Sequence, residues 1–382
     1  MRTAKWRYSL LLILTVFLLL PARAAGEEVP ALSAEAAILV EPVTGRVLFE
    51  KNADRPMKAA STVKILTALV ALEHLDSAQE VTVDRAWTGI EGSSMYLRPG
   101  ETVTVRDLLY GLLLVSGNDA ATALACAAAG SVEAFTELMN GKAAALGMGN
   151  SRFADPCGLV SEGHQVTARD MATLTRAALE NELIAEIVAT KTAVAADRSF
   201  TNHNKLLWRY EGAAGVKTGF TKAAGRTLVS CAERCGLRLI CVTLNDPDDW
   251  EDHAALLDWG FANYAWQSTG EMTWSLPVVS GLGESAAVVP GREEALLLPK
   301  DGAGTWSVAL PDFVYAPVSK GEEAGLLRFL TPGGEVLAEI PLVFAEDVGL
   351  DPAQSLSFLE KLKWAWFFAW RHSPPYPINM VW

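Results

Sequence analysis

The stretch from Ala59 to Glu73 constrains the fold most, because it places a lysine inside an otherwise apolar helical pattern. Apolar residues recur there at the spacing of a helix that packs into a core, and Ser61 and Thr62 are suited to cap its first turn. Ser61 and Lys64 lie three residues apart, so on a helix their side chains share a face and can meet. Stability alone does not require such a meeting.

Together, Ser61 and Lys64 predict a nucleophile and its base. Burial lowers the pKa of an amine, so Lys64 could take the proton of the Ser61 hydroxyl. The partial positive charge at a helix N-terminus would stabilise a developing oxyanion. Taken alone, the pair also fits a capping serine and a lysine whose stem follows the surface, so the rest of the chain must decide.

The composition argues against nucleic acid as a partner and indicates an exported protein. The 382 residues carry 32 Lys and Arg against 45 Asp and Glu. Residues 1–24 have the form of a signal peptide: basic residues, the apolar run Leu10–Leu20, and small residues before a cleavage point after Ala24. The run is short for a membrane span, although an uncleaved anchor is the alternative. Cleavage would leave a more acidic chain outside the cytoplasm.

The five cysteines predict neither a disulfide scaffold nor a metal site. Their number is odd, and no histidine pattern accompanies Cys231, Cys235 and Cys241, which could at most form one bridge across a hairpin. We therefore predict no metal and no cofactor.

The order of predicted elements places further polar residues beside the helix of Ser61. A hairpin, Ala36–Val40 and Arg46–Phe49, precedes that helix, and a dense apolar helix ends at Ser116-Gly117-Asn118-Asp119. Ser116 and Asn118 therefore lie on a tight corner between two helices. Lys217 and Thr218 fall on a strand at the edge of an antiparallel sheet. Further predicted helices are 120–129, 132–146, 168–179 and 250–264.

The last third of the chain differs from the rest in its predicted secondary structure. From Thr273 to Phe344, short β-like runs alternate with Pro and Gly turns, which predicts a small all-β domain. From Ser355 to Arg371, Trp and Phe residues stand beside Lys361 and Lys363, a pattern typical of an amphipathic helix in the headgroup region of a membrane. A helix docked on the protein itself is the alternative.

Three motifs now stand in order, each once in the chain: Ser61-x-x-Lys64, Ser116-Gly117-Asn118 and Lys217-Thr218-Gly219. In this arrangement the chain resembles the serine-type D-alanyl-D-alanine carboxypeptidases, the low-molecular-mass penicillin-binding proteins. The likeness covers roughly Ala31 to Tyr264, and includes Asp155-Pro156-Cys157-Gly158-Leu159 and Asn202-His203-Asn204-Lys205.

The resemblance implies an α/β fold of the β-lactamase and transpeptidase type, an antiparallel sheet flanked by helices with a helical cluster beside it. The expected domains are a signal peptide (1–24), a catalytic domain (31–268), a small all-β domain (273–347) and a membrane-surface anchor (353–382).

The resemblance also implies a role for each motif. Ser61 attacks the carbonyl between two terminal D-alanines of a peptidoglycan stem pentapeptide, Lys64 is the base, and Ser116 relays the proton to the leaving amine. Further implied roles are substrate binding by Asn118, carboxylate binding by Lys217 and Thr218, close approach of the substrate at Gly219, and an oxyanion hole from the backbone N–H groups of Ser61 and Phe220. β-Lactam antibiotics would acylate the same serine.

Two departures and three alternatives accompany this hypothesis. Phe220 stands where some relatives have histidine, and Asn245–Trp250 is acidic where several have an arginine that steers the substrate. A β-lactamase is disfavoured by Ser-Gly-Asn in place of Ser-Asp-Asn and by the lack of an identifiable deacylating glutamate. An endopeptidase would use the same residues, and a penicillin sensor would be acylated without turnover.

Overall fold

The computed structural model describes residues 28–159, 162–300, 304–331, 333–352 and 363. The chain divides into two compact units, the first ending at Tyr264 and the second beginning at Ala265. The predicted signal peptide (1–24) and nearly all of the predicted anchor (353–382) lie outside the described residues. Among the helices that are described, none combines the length and the apolar character needed to cross a membrane.

A five-stranded antiparallel sheet forms the centre of the first unit, in the order β2-β1-β9-β8-β7. Its middle strands are buried along almost their whole length because helices cover both faces, which explains their continuous apolar sequence. Two separate two-stranded ribbons, β3-β4 and β5-β6, complete the strands of this unit. The strands are β1 Ala36–Val40, β2 Val47–Lys51, β3 Glu80–Thr82, β4 Thr102–Thr104, β5 Thr192–Ala195, β6 Arg198–Thr201, β7 Ala213–Thr221, β8 Gly225–Arg234 and β9 Leu237–Leu244.

Helices of the first unit form a cluster and two covering layers. The buried helix α1 packs against α2, α3, α4 and α5, while α5 and α8 cover the sheet. Buried alanines along α3 allow close helix packing. The helices are α1 Lys64–His74, α2 Val105–Leu114, α3 Asn118–Ala129, α4 Val132–Ala145, α5 Ala168–Leu179, α6 Glu182–Ala189, α7 Leu206–Arg209 and α8 Asp249–Asn263.

The entrance to α1 differs from the predicted capped helix. A short 3-10 helix, Ala60–Val63, precedes α1, and no side chain caps the α-helix. The Lys64 N–H is bonded to the carbonyls of Ser61 and Thr62, and the Thr62 hydroxyl donates to the carbonyl of Ala59 at 2.7 Å. The backbone thus satisfies its own N–H groups, as 3-10 turns at helix ends do, and the Ser61 hydroxyl is left for another partner.

The second unit contains strands and turns, and no helix occurs in the part of residues 265–352 that is described, as the sequence predicts. A six-stranded sheet has the order β14-β16-β17-β12-β11-β15, and β10 pairs with β13 in a separate ribbon. Leu276, Val288, Leu327 and Ile340 lie in its core. The strands are β10 Tyr264–Ser268, β11 Trp274–Val279, β12 Ser285–Pro290, β13 Ala295–Pro299, β14 Thr305–Ala309, β15 Val314–Tyr315, β16 Glu323–Leu330 and β17 Val336–Phe344.

Candidate active site

Ser61 and Lys64 meet as the sequence predicts. The fully buried Lys64 Nζ lies 3.0 Å from Ser61 Oγ, 2.7 Å from Asn118 Oδ1 and 2.9 Å from the carbonyl oxygen of Cys157. A neutral amine has two N–H donors and one lone pair. If the donors serve Asn118 and Cys157, the lone pair is directed to the Ser61 hydroxyl, which is the geometry a general base needs.

The environment of Lys64 makes its neutral amine more accessible than that of an ordinary lysine. Burial lowers the pKa of Lys64 to about 8 from the ordinary 10.5, and the nearby Cys157, Asp155 and Asp119 partly oppose this effect. The carboxylates thus hold the pKa near the range in which a lysine can both accept and return a proton.

The corner between α2 and α3 carries the second motif in a strained backbone. Ser116 has a positive φ of 63°, which is costly for a residue other than glycine, and its buried Oγ has no hydrogen-bond partner in the described part of the chain. A buried hydroxyl without a partner is available to a ligand that enters the site. Asn118 is fixed on both sides, since its Nδ2 donates to the carbonyl of Glu91 at 2.5 Å.

Asp119 is a residue whose part in the site the sequence reasoning missed. Its buried carboxylate accepts hydrogen bonds from Ser94 Oγ at 2.6 Å, from the Met95 N–H at 2.9 Å and from the Leu97 N–H at 3.0 Å. These bonds hold the loop before β4 against the corner of Asn118. Its position directly after Ser-Gly-Asn was the available signal, but sequence spacing does not reveal contacts with a loop twenty residues away.

A second loop, 155–159, presses against the 3-10 helix of Ser61. Asp155 Oδ1 accepts from the N–H groups of Cys157 and Gly158 at 2.6 and 2.7 Å, so the turn presents the Cys157 carbonyl to Lys64. Gly158 has a positive φ, and a Cβ there would collide with the carbonyl of Ala60. The Asp-Pro-x-Gly pattern was visible in the sequence, whereas its contact with Lys64 was not.

The third motif lies on β7, an edge strand of the sheet, as the sequence predicts. Lys217 is buried and donates to the carbonyl of Thr218 at 2.9 Å; burial and the charge of Lys64 hold the pKa of Lys217 well below its usual value. At Gly219 an added Cβ would collide with Thr227 Oγ1 and would lie 3.0 Å from the Ser61 nitrogen and 3.1 Å from the Ala59 oxygen. Glycine therefore allows β7 to lie against the backbone of Ser61.

These motifs surround one open cleft of about 950 Å³. Ser61, Ser116, Thr218, Gly219 and Phe220 line it, while the three remaining predicted site residues, Lys64, Asn118 and Lys217, are buried. The Phe220 side chain is 66% exposed. Sequence reasoning assigned no role to three other lining residues, which belong to the segment before and within α7: His203, Lys205 and Trp208.

The acidic segment 245–250 stands where the family resemblance led us to expect a substrate-steering arginine, but the structure pairs its Asp249 with Arg226. Arg226 projects from β8, opposite Phe220, and forms an ion pair of 2.7 Å with the buried carboxylate of Asp249. The guanidinium also lies over the ring of Trp250, with its carbon 5.7 Å from the ring centroid, within the reach of a cation–π contact. Asp249 therefore does not present an unpaired negative charge to the cleft.

Comparison with known proteins places this arrangement in a family. The model of the family described as D-alanyl-D-alanine carboxypeptidase, peptidase family S11, matches residues 23–248. D-alanyl-D-alanine carboxypeptidase DacF of Bacillus subtilis is 34% identical over 352 residues, which cover 87% of this chain and 90% of the relative. DacC of Escherichia coli is 34% identical over 369 residues, with 87% and 89% covered.

Solved structures agree with the sequence comparison. Penicillin binding protein 5 from Haemophilus influenzae superimposes with a TM-score of 0.66 at 29% identity, covering 85% of this chain and 100% of that one. The D-alanyl-D-alanine carboxypeptidase DacD from Francisella tularensis gives a TM-score of 0.67 at 27% identity, with 85% and 95% covered.

Proposed function

The chain belongs to the D-alanyl-D-alanine carboxypeptidase family, and we propose that it removes the terminal D-alanine of peptidoglycan stem peptides through an acyl-enzyme on Ser61. The family predicted from three motifs is thus confirmed, and with it a serine-type peptidase hydrolase. The observation that carries the assignment to Ser61 is the 3.0 Å contact between Lys64 Nζ and Ser61 Oγ at a lysine whose pKa is lowered to about 8.

In the acylation step, neutral Lys64 takes the proton of Ser61 as Oγ attacks the carbonyl carbon of the penultimate D-alanine. The negative charge that develops on the carbonyl oxygen is stabilised by the backbone N–H groups of Ser61 and Phe220. The contact of Gly219 with the Ser61 backbone supports this role, because it keeps β7 close to the reacting atoms.

Collapse of the tetrahedral intermediate breaks the peptide bond and needs a proton on the leaving amine. Ser116 relays the proton from Lys64 to that nitrogen, a role favoured by its buried hydroxyl without a partner among the described residues. D-Alanine leaves, and water then attacks the ester of Ser61 and gives a proton to Lys64. Lys64 returns this proton to Ser61 Oγ as the ester bond breaks and the shortened peptide leaves.

Substrate selection depends on the free carboxylate of the terminal D-alanine. Lys217 supplies a cation and Thr218 a hydroxyl donor for it, and Asn118 binds the peptide backbone. An incoming carboxylate also stabilises the protonated form of Lys217, whose pKa is lowered in the free site. β-Lactams carry a carboxylate beside a reactive amide and acylate Ser61 by the same route.

We place this activity at the outer face of the cytoplasmic membrane. The signal pattern of residues 1–24 and the aromatic, basic pattern of 353–382 support export followed by attachment to the membrane surface. Relatives from Bacillus subtilis and Escherichia coli cover both units of this chain, so the second unit is part of the same type of enzyme.

A direct test compares the wild type with Ser61→Ala. A stem peptide ending in D-alanyl-D-alanine is supplied while free D-alanine is assayed, and a fluorescent penicillin is used to label the protein in parallel. Release and labelling that both disappear in the variant support the proposal. Labelling without release would indicate a protein that is acylated but does not turn over this peptide, and release that persists in the variant would exclude Ser61 as the nucleophile.

A further inference from the structure

Five apolar side chains of the second unit stand out because they are exposed and close together. Leu282 is 71% exposed and Tyr315 67%, and the other three are exposed to a lesser degree. We call this group the apolar edge cluster. Its members are Val279, Leu282, Phe313, Tyr315 and Leu350.

Backbone pairing brings the cluster together at one edge of the six-stranded sheet. Tyr315 on the edge strand β15 pairs with Val279 on β11, and the rings of Phe313 and Tyr315 form an edge-to-face pair with centroids 5.5 Å apart. Leu350 forms a bridge with Gly281, and the Leu282 N–H donates to the carbonyl of Gly349 at 2.8 Å. The five side chains thus lie on neighbouring segments.

The fold does not need these side chains for its core. Along β11 and β15 the alternate residues Val278 and Val314 turn inward, and Val278 and Val348 belong to the buried core. Side chains on the outer face of the same strands are free to be polar, because that face of the sheet is not part of the buried core. Adjacent exposed aromatic and leucine side chains are typical of an interaction surface.

The segment that follows the cluster in the chain indicates what meets this surface. Pro352 follows the cluster by two residues, and the aromatic, basic stretch predicted to lie in a headgroup region begins at Ser355. Five residues from Leu350 to Ser355 span at most about 18 Å when fully extended. If that stretch lies at a membrane surface, the apolar edge cluster is held within reach of the same surface.

The charges beside the cluster decide the kind of contact. The five side chains of the cluster carry no charge, and Asp312, beside Phe313 in the chain, is acidic, so anionic lipid would not attract this edge. Lys361, Lys363 and Arg371 in the terminal stretch would supply that attraction instead. Leucine and aromatic side chains gain free energy by entering the interfacial region whatever the headgroup charge.

We propose that the apolar edge cluster is a second lipid-contacting surface, which inserts into the membrane interface beside the terminal segment. This inference rests on the proposed attachment of residues 353–382. Two contacts at separate points would restrict the tilt of the second unit on the membrane, which one helix alone would not do.

The test measures partition of the full chain, without its signal peptide, into phosphatidylcholine vesicles containing phosphatidylglycerol. Three variants are compared with the wild type: the edge variant L282S/F313S/Y315S, a terminal variant W366S/F367S/W370S, and a matched control V308S/V336S/L337S. The control removes exposed apolar side chains from β14, at the opposite edge of the sheet, and from the start of β17. Penicillin labelling of Ser61 checks that every variant is folded and reports the proposed catalytic function independently.

We expect the partition coefficient of the edge variant to fall about tenfold or more, on the scale of losing three partly inserted apolar side chains, while the control stays at the wild-type value. Loss of binding in the terminal variant but not in the edge variant would overturn the proposal and leave the terminal anchor in place. Tighter binding by the edge variant would also overturn it, since it would mean that the terminal segment itself covers the cluster. Equal losses of vesicle binding in the edge variant and the control would also overturn the proposal, because binding would then depend on the apolar surface in general and not on this cluster.

Discussion

If Lys64 is the base, the acylation of Ser61 should follow the deprotonation of a lysine whose pKa is about 8. The quantity to measure is the first-order rate constant for acylation at saturating penicillin. At saturation, the binding of the ligand carboxylate that we propose for Lys217 no longer limits the rate. The lowered pKa means that the neutral, active amine is lost as the pH falls through about 8, so the rate should fall toward acid and level off above that pH.

The structure gives the size of the effect. With a pKa of about 8, the neutral fraction is about one tenth at pH 7, one half at pH 8 and nine tenths at pH 9, so the rate rises about tenfold from pH 7 to 9 and less than about twofold over the last unit. A lysine with the ordinary value would instead give a rise of about tenfold for each unit throughout this range. The difference between these two profiles is much larger than the error of rapid-mixing measurements.

The assay uses stopped-flow fluorescence with a labelled penicillin between pH 6 and 9.5. Lys64→Arg is the informative variant, because a guanidinium keeps its proton and cannot act as the base. Lys142→Arg, at a partly exposed lysine of α4 that pairs with Glu73, is the matched control and should leave the profile unchanged. A tenfold rise between pH 8 and 9, or a rate independent of pH, would refute the reasoning about Lys64.

Three further substitutions test the geometry around this pair. Gly219→Ala should slow acylation by about a hundredfold by moving β7 from Ser61, whereas Gly141→Ala, whose Cβ meets nothing within 4 Å, should leave the rate unchanged; a wild-type rate in Gly219→Ala would contradict the close-approach argument. Asp119→Asn should lower the free energy of unfolding by about 2–4 kcal/mol in urea titrations because it replaces an acceptor of several buried hydrogen bonds, and an unchanged midpoint would count against it. Arg226→Gln should raise the KM for the stem peptide about tenfold by leaving Asp249 unpaired, with partial recovery on adding Asp249→Asn; a KM that the second change does not lower would exclude this explanation.

Sequence patterns predicted the elements that carry the site, because each motif is tied to a local structure. The apolar helix of Lys64, the corner at Ser116 and the edge strand of Lys217 all follow from periodicity and turn residues within a few positions. That the three motifs meet in one site was predicted from the resemblance to a family, because local patterns cannot show that residues about 150 positions apart come together.

What the sequence did not predict depends on contacts between distant segments. Asp119 holds a loop against the corner of Asn118, and Asp155 shapes the turn that presents the Cys157 carbonyl to Lys64. The pairing of Arg226 with Asp249 crosses from β8 to α8. The sequence also allowed Ser61 a capping role, which the structure does not show, for a related reason. Local propensity favours a capping serine, but the tertiary contact with Lys64 and the 3-10 turn leave that hydroxyl outside the helix end.

The edge position of β7 has a consequence for the protein in concentrated solution. Among the described strands, β7 pairs with β8 alone; the backbone of Ser61 lies close to its other side at Gly219, and the rest of that side has no strand partner among the described residues. An edge that admits a peptide strand also admits a strand of another molecule, which is a common origin of aggregation. If a ligand in the cleft covers this edge, as we propose for the stem peptide, it should also reduce aggregation, which light scattering with and without a β-lactam would measure.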